Sequence, residues 1–203
     1  TGNPVIDTLR QITSTEMAAS PAIPNLDKRN RIVVLTTHRR ENFGTPQAEI
    51  LRSAGLIVER FPDVAVVIPV HPNPEVRRAV RAHLPVHSRI HPIAPLGYPE
   101  FINLVSRSFF VMSDSGGLQE EAPALGKPVL VLRTETEREE VVDSGNGMMV
   151  RLQAEAIAET AGTLLTNKPL HRTMSRKRFP FGKGNAASKI LRQIERWKNM
   201  QGN

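Results

Sequence analysis

At 203 residues the chain has room for one large domain or two small ones, and either can bury a core. It contains no cysteine, which excludes a disulfide framework, a thiolate metal site and a cysteine nucleophile. A formal charge of +7 and a pI near 10.4 point to an acidic partner: nucleic acid, an anionic membrane surface or a nucleotide-type ligand.

Much of the excess charge lies in the tail, at Arg172, Arg176, Lys177, Arg178, Lys183, Lys189, Arg192, Arg196 and Lys198. With one Trp, one Tyr and no aromatic-interleaved basic motif, the composition argues against nucleic acid. No apolar run approaches the roughly 18 residues that span a bilayer, and no signal-peptide pattern opens the chain. A cytoplasmic protein that does not enter the membrane is the expectation.

In chain order, the abrupt opening TGNPVIDTLR reads as a turn leading into a helix, and as the start of an excised piece. Residues 13–30 are polar, hold two prolines and read as a loop. Residues 32–36 form a β-branched strand that belongs in a buried sheet. HRRENFG follows at once, from His38. Ile50, Leu51, Ala54, Val58 and Phe61 then repeat at helical spacing, with Pro46 near a helix start.

Residues 64–70 are the next strand and run into His71-Pro-Asn-Pro74. A helix over 75–84, a short strand over 90–93 and a helix over 99–106 follow. Residues 109–132 then read strand, Ser-Asp-Ser-Gly-Gly turn, helix, strand, which is one βαβ unit. Pro123 and Gly126 keep its helix short. A loop over 134–138, a helix through Val142 and a Gly-containing turn lead to a last strand over 148–150. An amphipathic helix over 154–166, a shorter one near Leu170, a linker over 179–184 and a closing helix over 186–200 complete the chain. The closing helix is expected to bury a stripe of Ile190, Leu191, Ile194 and Trp197.

Strands alternating with helices at this spacing predict an α/β fold: a Rossmann-like, doubly wound parallel sheet of about six strands. In such sheets ligands lie beyond the carboxyl ends of the strands. Five polar or Gly- and Pro-marked turns fall there: residues 38–42, 71–74, 96–101, 114–121 and 134–138. At the N-terminus of the short helix of the βαβ unit, Ser115, Gly116 and Gly117 offer unpaired N–H groups to an anion, and the glycines have no Cβ to keep a phosphate away. Glu120 or Glu121 lies close enough to reach a sugar hydroxyl. His38 supplies an imidazole, which can donate or accept a proton, and its two neighbouring arginines pair with phosphates or carboxylates. His71 is either a ligand contact or a histidine bonded to its own loop. His83, His87, His91 and His171 show no metal-ligand spacing and read as structural or surface residues, so no metal is expected.

The stretches TGNPVID, THRRENFG, PVHPNPEVR, PLGYPEF, SDSGGLQEEAPALGKPVLVLR and TEREE, in that order from Thr1 to Glu140, resemble the C-terminal half of the non-hydrolysing UDP-N-acetylglucosamine 2-epimerases. The resemblance implies one of two Rossmann-like domains of a glycosyltransferase-B-type fold, here one nucleotide-binding domain over residues 1–203. It implies a UDP-GlcNAc or UDP ligand, no cofactor, an N-terminal domain carrying the catalytic carboxylates, and a homodimer. Carried over by motif, Ser115, Gly116 and Gly117 would hold the diphosphate, Glu121 the ribose, Arg138 the nucleotide, and Leu96 and Phe101 the uracil. His38 would be the catalytic-site histidine. Arg39 and His71 match positions that bind a second, activating UDP-GlcNAc in bacterial members. Glu139-Glu140 departs from the usual Pro-Glu after Thr-Glu-Arg. A related UDP-sugar enzyme of the same fold, either a hydrolysing epimerase or a glycosyltransferase, is one alternative, and a non-catalytic basic binding module is another.

Overall fold

A computed structural model of the chain describes residues 1–14, 23 and 26–201. Among them six parallel strands form one sheet: β1 (Arg31–Thr36), β2 (Val64–Pro69), β3 (Ile90–Ile93), β4 (Phe110–Ser113), β5 (Val129–Val131) and β6 (Gly147–Met149). The helices are α1 (Pro4–Ser14), α2 (Thr45–Arg60), α3 (Pro74–His83), α4 (Tyr98–Arg107), α5 (Gly116–Leu125), α6 (Glu139–Asp143), α7 (Ala154–Thr166), α8 (Lys168–Met174) and α9 (Ala186–Gln201). Every strand that the sequence predicts is present, with ends within a residue or two. The loop expected over 13–30 begins later, because Thr13 and Ser14 belong to α1. Residues 15–22, 24 and 25 of it lie outside the described residues.

The strand order is β3-β2-β1-β4-β5-β6. The chain winds outward from β1 through β2 to β3, then returns across the sheet to β4 and winds the other way. That reversal places β1 beside β4, with Val33 opposite Phe110 and Thr36 opposite Ser113. Loops leaving the carboxyl ends of β1 and β4 therefore part in opposite directions and open a crevice between them.

Alternation along each strand explains why both faces are covered. Val33, Leu35, Val66, Phe110, Met112 and Leu130 meet α2 and α7 through Ile50, Ile57, Ile157 and Leu164. Ile32, Val34, Val67, Val111, Val129 and Val131 meet the other layer through Leu104, Val105, Leu118, Ala122 and Val141. A third cluster, Ile6, Leu9, Ile102 and Ala124, seats α1 against α4 and α5. With both faces of β1 buried, its sequence is continuously apolar rather than alternating.

Local signals set the helix ends. The Asn73 side chain accepts the Glu75 N–H at 2.8 Å and caps α3. α5 stops two residues beyond Pro123: Gly126 takes the left-handed conformation (φ 69°), its N–H donates to Pro123 O, and the Lys127 N–H donates to Ala122 O. A Cβ at Gly126 would stand 2.8 Å from the Ser175 carbonyl oxygen.

One expectation fails. Of the stripe assigned to the inner face of α9, Leu191 is 61% exposed, Ile194 46% and Trp197 54%. Only the start of α9 is held, where the Asp7 carboxylate accepts the N–H groups of Ala186 and Ala187 at 3.0 and 3.2 Å. Beyond that turn the apolar face stays exposed. Periodicity identifies an apolar face, not the surface that meets it. In urea unfolding of this chain, Trp197→Ser should change stability by no more than about 0.5 kcal/mol. Ile57→Ala, which opens a cavity under α2, should cost about 2–5 kcal/mol.

Candidate nucleotide site at the sheet switch point

The crevice between β1 and β4 is organised by one carboxylate. Asp114, fully buried, accepts the backbone N–H of His38 at 2.9 Å and that of Arg39 at 3.0 Å. It also accepts the Thr37 hydroxyl at 3.0 Å and the Asn42 amide at 3.0 Å, and its Oδ1 lies 3.3 Å from Nδ1 of His38. Asn42 donates as well to the Leu132 carbonyl at 2.9 Å, which brings in the end of β5. Below this, Thr36 Oγ1 and Ser113 Oγ meet at 2.7 Å, and Ser113 Oγ accepts the Ser115 N–H at 2.9 Å. Burial pushes the Asp114 carboxyl up, but hydrogen bonds from the His38 ring and from the Arg39 and His38 N–H groups more than offset it. The carboxyl is held below its ordinary value.

The loops so tied bring five of the sequence-predicted residues to one cleft of about 180 Å³: His38, His71, Leu96, Phe101 and Ser115. The His38 and His71 rings stack at 5.2 Å between centroids, 18° from parallel. The cleft is smaller than the roughly 300–1,000 Å³ of most ligand pockets. It suits one moiety of a nucleotide, with the rest lying along the open rim. Of the larger hollows, the two of 630 and 860 Å³ are lined mainly by residues of α1, the 179–183 segment and the chain start, and share no lining residue with this cleft. The linker over 179–184 lies there too, with Phe181 O accepting the Asn3 N–H at 2.7 Å.

Gly116 and Gly117 open α5 beside the cleft, with Ser115 Oγ accepting the Leu118 N–H at 3.4 Å as a cap. A Cβ on Gly116 would meet Arg39 Nη2 at 3.0 Å and Glu137 Oε1 at 3.5 Å. Arg39 thus lies at the α5 N-terminus, and its buried Nε has no hydrogen-bond partner among the described residues. Glu137 pairs with Arg39 at 3.7 Å and with Arg133, whose Nε donates to Glu41 at 2.7 Å. Arginine guanidinium groups and a helix N-terminus here face one small region, where a phosphate would be favoured.

Glu121 and Arg138 do not line the cleft. Glu121 is 5% exposed, and its Oε1 accepts the Tyr98 hydroxyl at 2.6 Å. Burial, opposed by that hydrogen bond and aided by Glu120, raises its carboxyl above the ordinary value, and the same contact and burial raise the Tyr98 hydroxyl. Arg138 Nε donates to Glu120, whose second oxygen takes the Asn3 amide. His171 is structural as expected: it stacks on Phe109 at 3.7 Å with Nε2 3.0 Å from the Phe109 carbonyl oxygen.

The sequence reading missed the residues that hold the site together, Asp114, Asn42 and Tyr98. A usable signal for Asp114 was an acidic residue set directly against the end of a buried strand, where a charge is costly unless it is met by donors.

The model of the family described as UDP-N-acetylglucosamine 2-epimerase matches residues 1–195. The chain belongs to the UDP-N-acetylglucosamine 2-epimerase family. It is 43% identical over 196 residues to a putative UDP-N-acetylglucosamine 2-epimerase of Thermotoga maritima, covering 96% of this chain and 52% of that protein. The structure is similar to that of the Neisseria meningitidis UDP-GlcNAc 2-epimerase bound to UDP-GlcNAc, with TM-score 0.88 and 37% identity over 97% of this chain and 54% of that one. The chain of this family member thus spans about half the length of the relatives it matches. The fold is also similar to that of the C-terminal domain of a Francisella tularensis group 1 glycosyl transferase, at TM-score 0.56 and 18% identity over 73% of this chain and 81% of that one. The Rossmann-like fold of the glycosyltransferase-B class expected from the motifs is therefore the fold observed.

Tyr98→Phe removes a donor to an ionised, buried carboxylate, so the Glu121 carboxyl should rise further. A raised folded value means that stability is full below the ordinary carboxylate value of 4.5 and is lost as pH rises through the raised value. The variant should therefore lose about 1–2 kcal/mol at neutral pH. The deficit should shrink as Glu121 protonates, which urea unfolding at a series of pH values measures.

Proposed function

We propose that this chain is the UDP-holding, C-terminal half of a 2-epimerase that interconverts UDP-GlcNAc and UDP-ManNAc. The observation that carries the reading is the convergence of His38, Phe101 and the Ser115-Gly116-Gly117 corner at the β1–β4 switch point, in a chain of that family.

In this reading the diphosphate lies on the α5 N-terminus, held by Ser115 and by the N–H groups of Gly116 and Gly117. Leu96 and Phe101 border the uracil. Glu121 takes ribose hydroxyls through Oε2, since Oε1 is committed to Tyr98. Arg138 adds a contact to the nucleotide by exchanging Glu120 for it. Arg39 and His71 serve a second UDP-GlcNAc, placed against the first, because Arg39 lies beside Gly116 and His71 stacks on His38.

The reaction begins when a base takes the proton from carbon 2. The bond from carbon 1 to the UDP oxygen breaks, leaving UDP and a 2-acetamidoglucal, and UDP re-adds after proton return to the opposite face. The helix N-terminus, His38 and Arg138 stabilise the departing diphosphate charge. The carboxylates that move the proton belong to a separate N-terminal domain, so the isolated chain binds UDP without turning over. Proton transfer and elimination call for no cofactor. Expected for the whole enzyme are a homodimer, a cytoplasmic location and a role in cell-surface polysaccharide synthesis; no helix among the described residues is long and apolar enough to cross a membrane.

Gly117 supplies the test. A Cβ there meets only Ser115 Oγ, at 3.9 Å, so Gly117→Ala has room in the free protein and should leave stability unchanged or slightly higher. A phosphate seated on that backbone would be displaced, and calorimetric titration should show UDP affinity falling about tenfold, near 1.4 kcal/mol. Absence of saturable UDP binding by the parent chain, or equal affinity in the variant, would refute the reading.

A further inference from the structure

The two histidines of the cleft are stacked, yet their ring nitrogens have opposite partners. Nδ1 of His38 lies 3.3 Å from a carboxylate oxygen of Asp114. A carboxylate held ionised only accepts, so this contact favours the proton on Nδ1 over Nε2. Nδ1 of His71 faces a donor instead, the Asn73 backbone N–H, at 3.2 Å. That nitrogen must be bare, which puts the proton of His71 on Nε2. We propose that Asp114 is a positioning residue for His38, and that the pair is built with opposite tautomers: His38 protonated on Nδ1 and offering Nε2 to the ligand, His71 kept neutral.

Three features support this. Asp114 cannot turn away from His38, because the Thr37 hydroxyl, two backbone N–H groups and the Asn42 amide fix both its oxygens. Nε2 of His38 makes no hydrogen bond among the described residues, and His38 borders the cleft beside Ser115. Protonating His71 would break its bond from Asn73 and set a second cation 5.2 Å from the His38 ring.

The groups facing His38 are Asp114 from the β4–α5 turn and His71 from the β2–α3 turn. Arg39, next in the chain, is turned toward Gly116 and Glu137. Among the described residues the opposite charge at the ring is Asp114, on the Nδ1 side. Burial and the neighbouring His38 both hold His71 below its ordinary value. The stack thus assigns the roles: one ring that can become a cation, with Nε2–H available to the departing diphosphate oxygen, and one that stays an uncharged surface beside it. The last assignment rests on the proposed function; the tautomers do not.

Long-range proton–nitrogen correlation spectra of the ¹⁵N-labelled chain read the tautomers directly, with His38→Gln and His71→Gln used to assign the rings. Expected at alkaline pH are His38 as the Nδ1–H form and His71 as the Nε2–H form. In Asp114→Asn, His38 should move toward the Nε2–H form. A His38 found as Nε2–H in the parent chain, a His71 found as Nδ1–H, or a folded Asp114→Asn variant with an unchanged His38 spectrum would each overturn the proposal. The parent spectrum decides the matter even if the variant does not fold. Calorimetry with UDP separates the two readings: absent UDP binding with the expected tautomers removes the ligand role alone, whereas normal UDP binding with His38 as Nε2–H removes the positioning role alone.

Discussion

A single buried negative charge holds this site together. Taking a carboxylate out of water costs several kcal/mol unless donors replace the lost hydration. Asp114 is met by the Thr37 hydroxyl, two backbone N–H groups, an amide and an imidazole. All of them come from the loop after β1, whereas Asp114 itself follows β4. The cost of burying the charge is therefore offset only when these two loops lie together. That condition fixes where His38 stands relative to the Ser115-Gly116-Gly117 corner, and it acts at the point where the strand order reverses and a crevice must open.

The surrounding polar groups are arranged as pairs already made in the free protein. Glu120 holds Arg138, Tyr98 holds Glu121, and Glu137 lies between Arg39 and Arg133. Each pair leaves its carboxylate or guanidinium matched within the protein itself. The Glu120 contact to Asn3 also connects Arg138 to the first residues of the chain.

Composition and periodicity were sufficient for the fold because the signals involved are local. A continuous apolar β1, helices at 3.6-residue spacing and a Gly-Lys-Pro stop each report on neighbours a few residues away. The α9 stripe shows where such reasoning ends. Leu191, Ile194 and Trp197 do lie along one helical face, but the face is exposed. Glu121 is a related case: its spacing from the glycine corner places it on α5, but only the packing shows it buried with one oxygen committed to Tyr98.

By itself the sequence determined the strand and helix order, the parallel sheet, the family through its distributed motifs, and the set of turns at the carboxyl rim. Those follow from residue type and spacing along the chain. Only the tertiary structure decided which turns touch. His38 lies 76 positions from Asp114 and 33 from His71, yet the strand order sets all three together. No local pattern encodes which partner a buried carboxylate or a ring nitrogen finds, because that partner is chosen by the packing of β1 against β4.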